Sequence, residues 1–270
     1  MRRERTMRVW AVANQKGGVG KTTTTVALGG LLAAAGARTL LVDMDPHASL
    51  TSYFGFDAEA LPGGVYDLFR AGAADAPPPA ERILPTRFER LAVLPATPAM
   101  ATLDRQLGAR AGMGLALAEA LATLADDYDR VLVDCPPMLG VLMVNALAAC
   151  ERLVIPTQTE FLALNGLERM LRSLAMIERA RGMRLPRLIV PTLYDGRTHA
   201  SAASLRALRE RHADELAQSV IPVDTQIREA SLAGVPAGAW PAARRGAQAY
   251  RGLLDELLAQ EAPLALEAAS

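Results

Sequence analysis

The segment Gln15-Lys16-Gly17-Gly18-Val19-Gly20-Lys21-Thr22-Thr23 follows an apolar stretch and carries the groups that a polyphosphate needs. Glycines let successive backbone N–H groups turn inward on anionic oxygens. Lys21 can reach the β and γ oxygens, and Thr22 offers a hydroxyl to Mg²⁺ where a helix begins. The chemistry implied is the binding of a nucleoside triphosphate, with Gly17, Gly18, Val19, Gly20, Lys21, Thr22 and Thr23 as the cradle. The general P-loop pattern has a glycine five residues before Gly20, where this chain has Gln15 and then a second lysine, Lys16.

Two further clusters supply carboxylates. Leu40-Leu41-Val42-Asp43-Met44-Asp45-Pro46 reads as a buried strand whose alternation puts Asp43 and Asp45 on one side. At the C-terminal edge of a parallel strand beside a P-loop, such acids can hold magnesium-bound water or orient the attacking water. Taken alone, they fit a solvated strand end equally well. Arg130-Val131-Leu132-Val133-Asp134-Cys135-Pro136-Pro137 runs four strand residues into one carboxylate, and Asp134 is expected in the Mg²⁺ shell, directly or through water. Cys135 and Cys150 are too few for a disulfide framework and too far apart for a Cys-x-x-Cys site. They read as small buried hydrophobes of a protein in a reducing cytoplasm.

Positioning these groups calls for a parallel sheet covered on both faces, because apolar runs alternate with helical patterns along the chain. Strands are expected near 8–14, 38–43, 90–95, 130–134, 152–156, 187–193 and 218–222. Helices are expected near 22–36, 112–126, 140–150, 163–181, 199–214 and 243–260, with a short one around 65–70 and Gly36 as the stop of the first. The Ala-, Pro- and Gly-rich stretch 57–87, containing Pro77-Pro78-Pro79, reads as a surface excursion from a single domain over 8–260. A basic extension, 1–7, precedes that domain and a tail, 261–270, follows it. The extension lacks the cleavage site of a signal peptide, and Met7 offers a second start. With 270 residues, 51% hydrophobic and only 4% aromatic, the chain can bury a large core of the α/β kind. Its formal net charge is zero, so binding to nucleic acid or anionic lipid would need a local patch.

The P-loop with its extra lysine resembles the deviant Walker A motif of the ParA/MinD family of dimeric ATPases. The resemblance implies a P-loop NTPase fold with a mostly parallel twisted sheet and helices on both faces. It implies ATP and Mg²⁺ as cofactors, and a homodimer in the ATP state, in which Lys16 reaches the partner's nucleotide. It assigns Asp45 to the hydrolytic water and Asp43, with Thr22 and Asp134, to the metal neighbourhood. Lys16, Lys21 and Asp45 become the expected catalytic residues. Pro136-Pro137-Met138-Leu139-Gly140 resembles the family's γ-phosphate switch. The segments around Val190-Pro191-Thr192 and Ile221-Pro222 resemble those that border the adenine, and Arg245-Gly246-Ala247-Gln248-Ala249-Tyr250 resembles the start of the final helix. In the segment that follows the Asp134 strand, Asn165 stands where many relatives have Glu.

Within that family the acidic and apolar C-terminus lacks the basic membrane helix of the MinD branch, so no membrane docking is expected. The chain also lacks the Cys ligands of the iron-protein branches and the room for an N-terminal helix-turn-helix domain. The small ParA type remains, which implies non-specific binding to nucleoid DNA. Its candidate contacts are Arg197, Arg206, Arg209, Arg211 and Arg228, although Gln226 stands where the family often has arginine, and Glu210, Asp214 and Glu229 interrupt the positive charge. Those arginines also fit ordinary solvated helix faces. Leu50-Thr51-Ser52-Tyr53-Phe54-Gly55 and Arg197-Thr198-His199-Ala200-Ser201 resemble the chemotaxis-cluster-associated, ParC-like homologues, which position chemoreceptor arrays at the pole. A ParB-like or chemotaxis-linked stimulating protein is the implied partner, with a nucleoid-associated or polar location in the cytoplasm. His47 stands where relatives often have Gln. The competing expectation is an amide-forming synthetase of the same fold.

Overall fold

The structure is a computed structural model, and it describes residues 7–70, 77–103 and 113–261. Seven strands form one sheet in the order β3-β4-β2-β5-β1-β6-β7. They are β1 (Arg8–Val12), β2 (Thr39–Asp43), β3 (Leu84–Pro85), β4 (Leu91–Leu94), β5 (Arg130–Asp134), β6 (Arg152–Gln158) and β7 (Arg187–Thr192). Every pairing is parallel except β3 with β4.

The pleat sorts the strand residues into two cores. Val9, Ala11, Leu40, Val42, Val131, Val133, Leu153 and Ile155 face one layer. That layer contains α4 (Ala116–Ala122), α5 (Val141–Ala149), α6 (Phe161–Arg181) and Leu208 of α7 (His199–Arg211). Trp10, Val12, Leu41, Leu132 and Val154 face the other layer, with α1 (Lys21–Ala34), Ile227 of α8 (Thr225–Leu232) and α9 (Arg244–Ala259). Both faces being covered explains why these strands read as continuous apolar runs. Two short helices, α2 (Ser49–Tyr53) and α3 (Val65–Leu68), follow β2.

The doubly covered sheet agrees with the expectation, with differences at its margins. The strand expected at 218–222 is absent: the segment meets β7 and its continuation through the isolated bridge Tyr194 to Pro222 and single backbone hydrogen bonds such as Ile221 N to Pro191 O at 2.8 Å. Pro191 and Pro222 remove donors that a continuous ladder would need. Antiparallel β3 was not anticipated, because two residues, one of them proline, carry no alternation. Nor was α8, whose start is fixed by the Asp224 carboxylate accepting the Gln226 N–H. The helix expected at 112–126 is α-helical only over Ala116–Ala122, after a 3₁₀ turn at Met113–Leu115. Residue 112, the extension up to residue 6, 71–76 of the excursion and the tail from 262 lie outside the described residues. Among the described residues no helix is long and apolar enough to cross a membrane.

The end of α9 is pinned beneath the sheet. Glu261 accepts hydrogen bonds from Trp10 Nε1 at 2.9 Å and from Arg130 Nη1 at 2.8 Å. Trp10 is 1% exposed, so Glu261→Ala leaves a buried donor and a half-buried guanidinium without their acceptor. The variant is expected to lose about 2 kcal/mol in urea unfolding followed by tryptophan fluorescence.

Candidate functional site

The loop from β1 to α1 builds a cradle at the C-terminal edge of the central strands. Gly18 and Gly20 take φ of +73° and +91°, a left-handed region that disfavours side chains, and α1 begins immediately afterward at Lys21. A Cβ built on Gly17, Gly18 or Gly20 would meet nothing within 4 Å, so the loop's inner surface is open. The loop is held from below. Asn14 Nδ2 donates to Pro156 O at 2.8 Å, and Gln15 Nε2 donates to Ser173 Oγ on α6 at 2.8 Å. Thr192 Oγ1 donates to Val19 O at 2.8 Å.

The strand register then brings the acids together. Asp43 pairs with Asp134 across β2 and β5, and Val12 pairs with Asp134 across β1 and β5. Thr22 Oγ1 donates to Asp134 Oδ2 at 2.6 Å. Burial, and then Asp43 beside it, raises the Asp134 carboxyl well above the usual range, against the Thr22 hydrogen bond and the Lys21 charge. Burial lowers Lys21, against the pull of Asp134 and Asp45. Burial likewise pushes Asp43 up to about 7.

Asp43 and Asp45 have different surroundings. Asp43 is fully buried and accepts from Thr51 N at 2.8 Å, Thr51 Oγ1 at 2.7 Å and Asp45 N at 3.2 Å. It fixes the turn that leads into α2. Asp45 faces the cavity, and its Oδ1 accepts from His47 N at 3.0 Å and lies 2.8 Å from His47 Nδ1.

The cavity has a volume of about 930 Å³. Gly17, Gly18, Gly20, Lys21, Thr22 and Thr23 line it together with Asp45, Thr192, Pro222, Arg228 and Leu232. Val19 is buried beneath the loop. A desolvated lysine, a hydroxyl bonded to a buried carboxylate and an open glycine loop form a donor set that fits a Mg²⁺-triphosphate. The magnesium would be held by Thr22 and by Asp134, directly or through water, together with phosphate oxygens. Among the described residues no three His, Cys, Asp or Glu side chains form a metal cage, and Mg²⁺ bound with phosphates needs none.

Lys16 is the expected site residue that stands apart. Its ammonium pairs with Glu160 at the entry of α6, and its side chain is not part of the cavity wall. Phe161 and Met138, which adjoin Glu160 and the cavity-lining Pro137 in the chain, are exposed at 73% and 71%.

The expected DNA contacts lie on α7, on α8 and on the segment just before α7. Arg206, Arg209 and Arg211 are exposed along α7, whereas Arg228 lies at the nucleotide cavity. Arg197 is bonded to Asp195 at 2.9 and 2.7 Å, and with Arg244 and Arg245 it lines a second depression of about 610 Å³ that shares Val223 and Asp224 with the nucleotide cavity. That arginine pair was missed because it reads in sequence as an ordinary helix start, as was Thr51, whose link to Asp43 exists only after folding.

A family model described as an AAA domain matches residues 7–185. The chain is 37% identical over 261 residues to the chromosome partitioning protein ParA of Caulobacter vibrioides, covering 94% of this chain and 95% of that protein. It is 35% identical over 253 residues to the sporulation initiation inhibitor protein Soj of Bacillus subtilis, covering 93% and 98%. Among solved structures it is similar to a Mycobacterium smegmatis protein described as cobyrinic acid a,c-diamide synthase with bound ATP analog and magnesium. That pair superposes with a TM-score of 0.80 at 38% identity, covering 93% of this chain and 94% of the other.

Proposed function

The chain belongs to the ParA family of P-loop ATPases, and from that premise we propose that it is a nucleotide-switched dimer that positions intracellular cargo. The observation that carries the dimer reading is Lys16. Its ammonium pairs with Glu160 at the entry of α6 and its side chain is not among those lining its own cavity, which supports a reach toward the phosphates of a second copy.

In this reading Gly17 through Thr23 hold the triphosphate with Lys21 on its terminal oxygens, while Thr192 and Pro222 border the base. Thr22 and Asp134 would hold the magnesium, directly or through water, with buried Asp43 behind them, and the ion would neutralise charge on the phosphates. Asp45 orients the water, and Lys16 reaches the phosphates of a second copy. Loss of the γ-phosphate removes the contacts that order the 136–140 segment and so releases the dimer. Sedimentation with ADP and with ATP tests this reading, and a chain that stays monomeric in ATP with magnesium would overturn it.

The chromosome-partitioning name of the Caulobacter vibrioides relative supports chromosomal DNA as cargo, and the family resemblance implies a ParB-like partner. The ParC-like phrases in the sequence support polar chemoreceptor arrays and a nucleoid-associated or polar location. DNA contact in the ATP state is assigned to Arg197, Arg206 and Arg209, with Arg244 and Arg245 added because they share a depression with Arg197. ATP-loaded protein is expected to bind duplex DNA with an affinity that falls as salt rises. Each of Arg244→Ala and Arg245→Ala should flatten the logarithmic salt slope by about 1. Binding that ignores salt, or variants with the wild-type slope, would remove these contacts.

The diamide-synthase description of the Mycobacterium smegmatis structure favours a second reading, an amide-forming synthetase. Phosphate release from ATP and magnesium alone, with no acceptor added, separates the two. A switch turns over slowly without an acceptor, whereas a synthetase needs one.

A further inference from the structure

The turn after β2 carries a histidine whose ring meets the carboxylate assigned to the water. The backbone N–H of His47 donates to Asp45 Oδ1 at 3.0 Å, and Nδ1 lies 2.8 Å from the same oxygen. Asp45 O also accepts the Ala48 N–H at 2.8 Å, and Ala48 sits at φ +53°, so the turn is closed around Asp45. Both contacts from His47 converge on Oδ1, which restrains rotation of the carboxylate and leaves Oδ2 as the oxygen able to face a reacting water. An ionised carboxylate accepts, so Nδ1 must carry the proton in this contact, with Nε2 left toward the cavity and solvent. The imidazole lines the nucleotide cavity with its side chain 79% exposed.

We propose that His47 is a positioning residue for Asp45, holding its Oδ1 so that the other carboxylate oxygen is presented to the reacting water. The inference rests on the assignment of Asp45 above. Other charges facing the same cavity are Lys21 at the start of α1 and Asp224 and Arg228 at α8, with buried Asp43 and Asp134 beneath its floor. No proton transfer through His47 is involved. Glutamine can donate to Asp45 but carries no charge, and alanine does neither.

Phosphate release with ATP and magnesium, measured on the full chain across ATP concentrations, tests the inference. His47→Ala should lower kcat roughly 3- to 10-fold, the worth of one hydrogen bond, with KM for ATP within about 2-fold of wild type. His47→Gln, which can still donate to Asp45, should recover most of that kcat. Wild-type kcat in His47→Ala, or a His47→Gln no faster than His47→Ala, would overturn it. Asp45→Ala, run alongside, separates the two layers. If it is inactive while the histidine variants match wild type, only the role of His47 falls; if it turns over normally, the assignment of Asp45 falls too.

Discussion

Asp45→Ala is expected to bind ATP and dimerise, but to release phosphate at least 100-fold more slowly than wild type, so that the ATP dimer persists for hours. A residue that orients or deprotonates the reacting group ordinarily contributes a factor of roughly 10²–10⁴. The substitution is well placed to remove only that contribution. The Asp45 carboxylate is bonded to His47 on its own turn, whereas the turn itself is anchored by Asp43 through Thr51. The P-loop glycines, Lys21, Thr22 and Asp134 are untouched, so nucleotide affinity should stay within a few-fold of wild type. Phosphate release and sedimentation velocity after an ATP pulse report both halves of the expectation. Retained turnover would take Asp45 out of the chemistry, and a monomer in ATP would argue that the carboxylate serves the interface instead.

Gly17→Val is the second large effect, and the structure makes it a clean test. A Cβ at position 17 meets nothing within 4 Å in the chain itself, and Gly17 is not among the glycines at positive φ. Valine is therefore accommodated within a single copy, and the melting temperature should stay within about 2 °C of wild type. Any defect must then arise where another molecule approaches the loop. If the loop backbone of a second copy packs there, the added branched side chain is overpacked at the interface. That costs about 1–3 kcal/mol or more, which weakens the ATP dimer roughly 10- to 100-fold. Fluorescent-nucleotide titration and sedimentation, run together, separate the two functions of the loop. Normal ATP binding with a normal ATP-dependent dimer would sink the cross-dimer geometry.

Some of the site was legible before folding because its chemistry is local in the chain. A glycine loop, a lysine and a hydroxyl that hold phosphate must be consecutive, since successive backbone N–H groups form the cradle. Strand ends carrying Asp43, Asp45 and Asp134 were equally readable, because a strand buried on both faces is an uninterrupted apolar run with its acid at the end. The elements misjudged were those with little periodic signal. Two-residue β3 is one, and the segment at 218–222, where prolines prevent a ladder, is another.

The amino-acid sequence by itself determined the doubly covered parallel sheet, the order of the motifs and the kind of ligand they suit. Those depend on short-range pattern and on backbone chemistry within a few residues. Only the tertiary structure decided which acid faces the cavity and which holds its wall. That division rests on Thr51 bonding Asp43, eight residues away, while Asp45 turns toward His47. Folding also paired Lys16 with Glu160 across 144 positions and put Arg197 beside Arg244 and Arg245. These contacts join residues far apart in the chain. Their energies depend on where burial removes water and where a partner arrives, and no local pattern in the sequence records either.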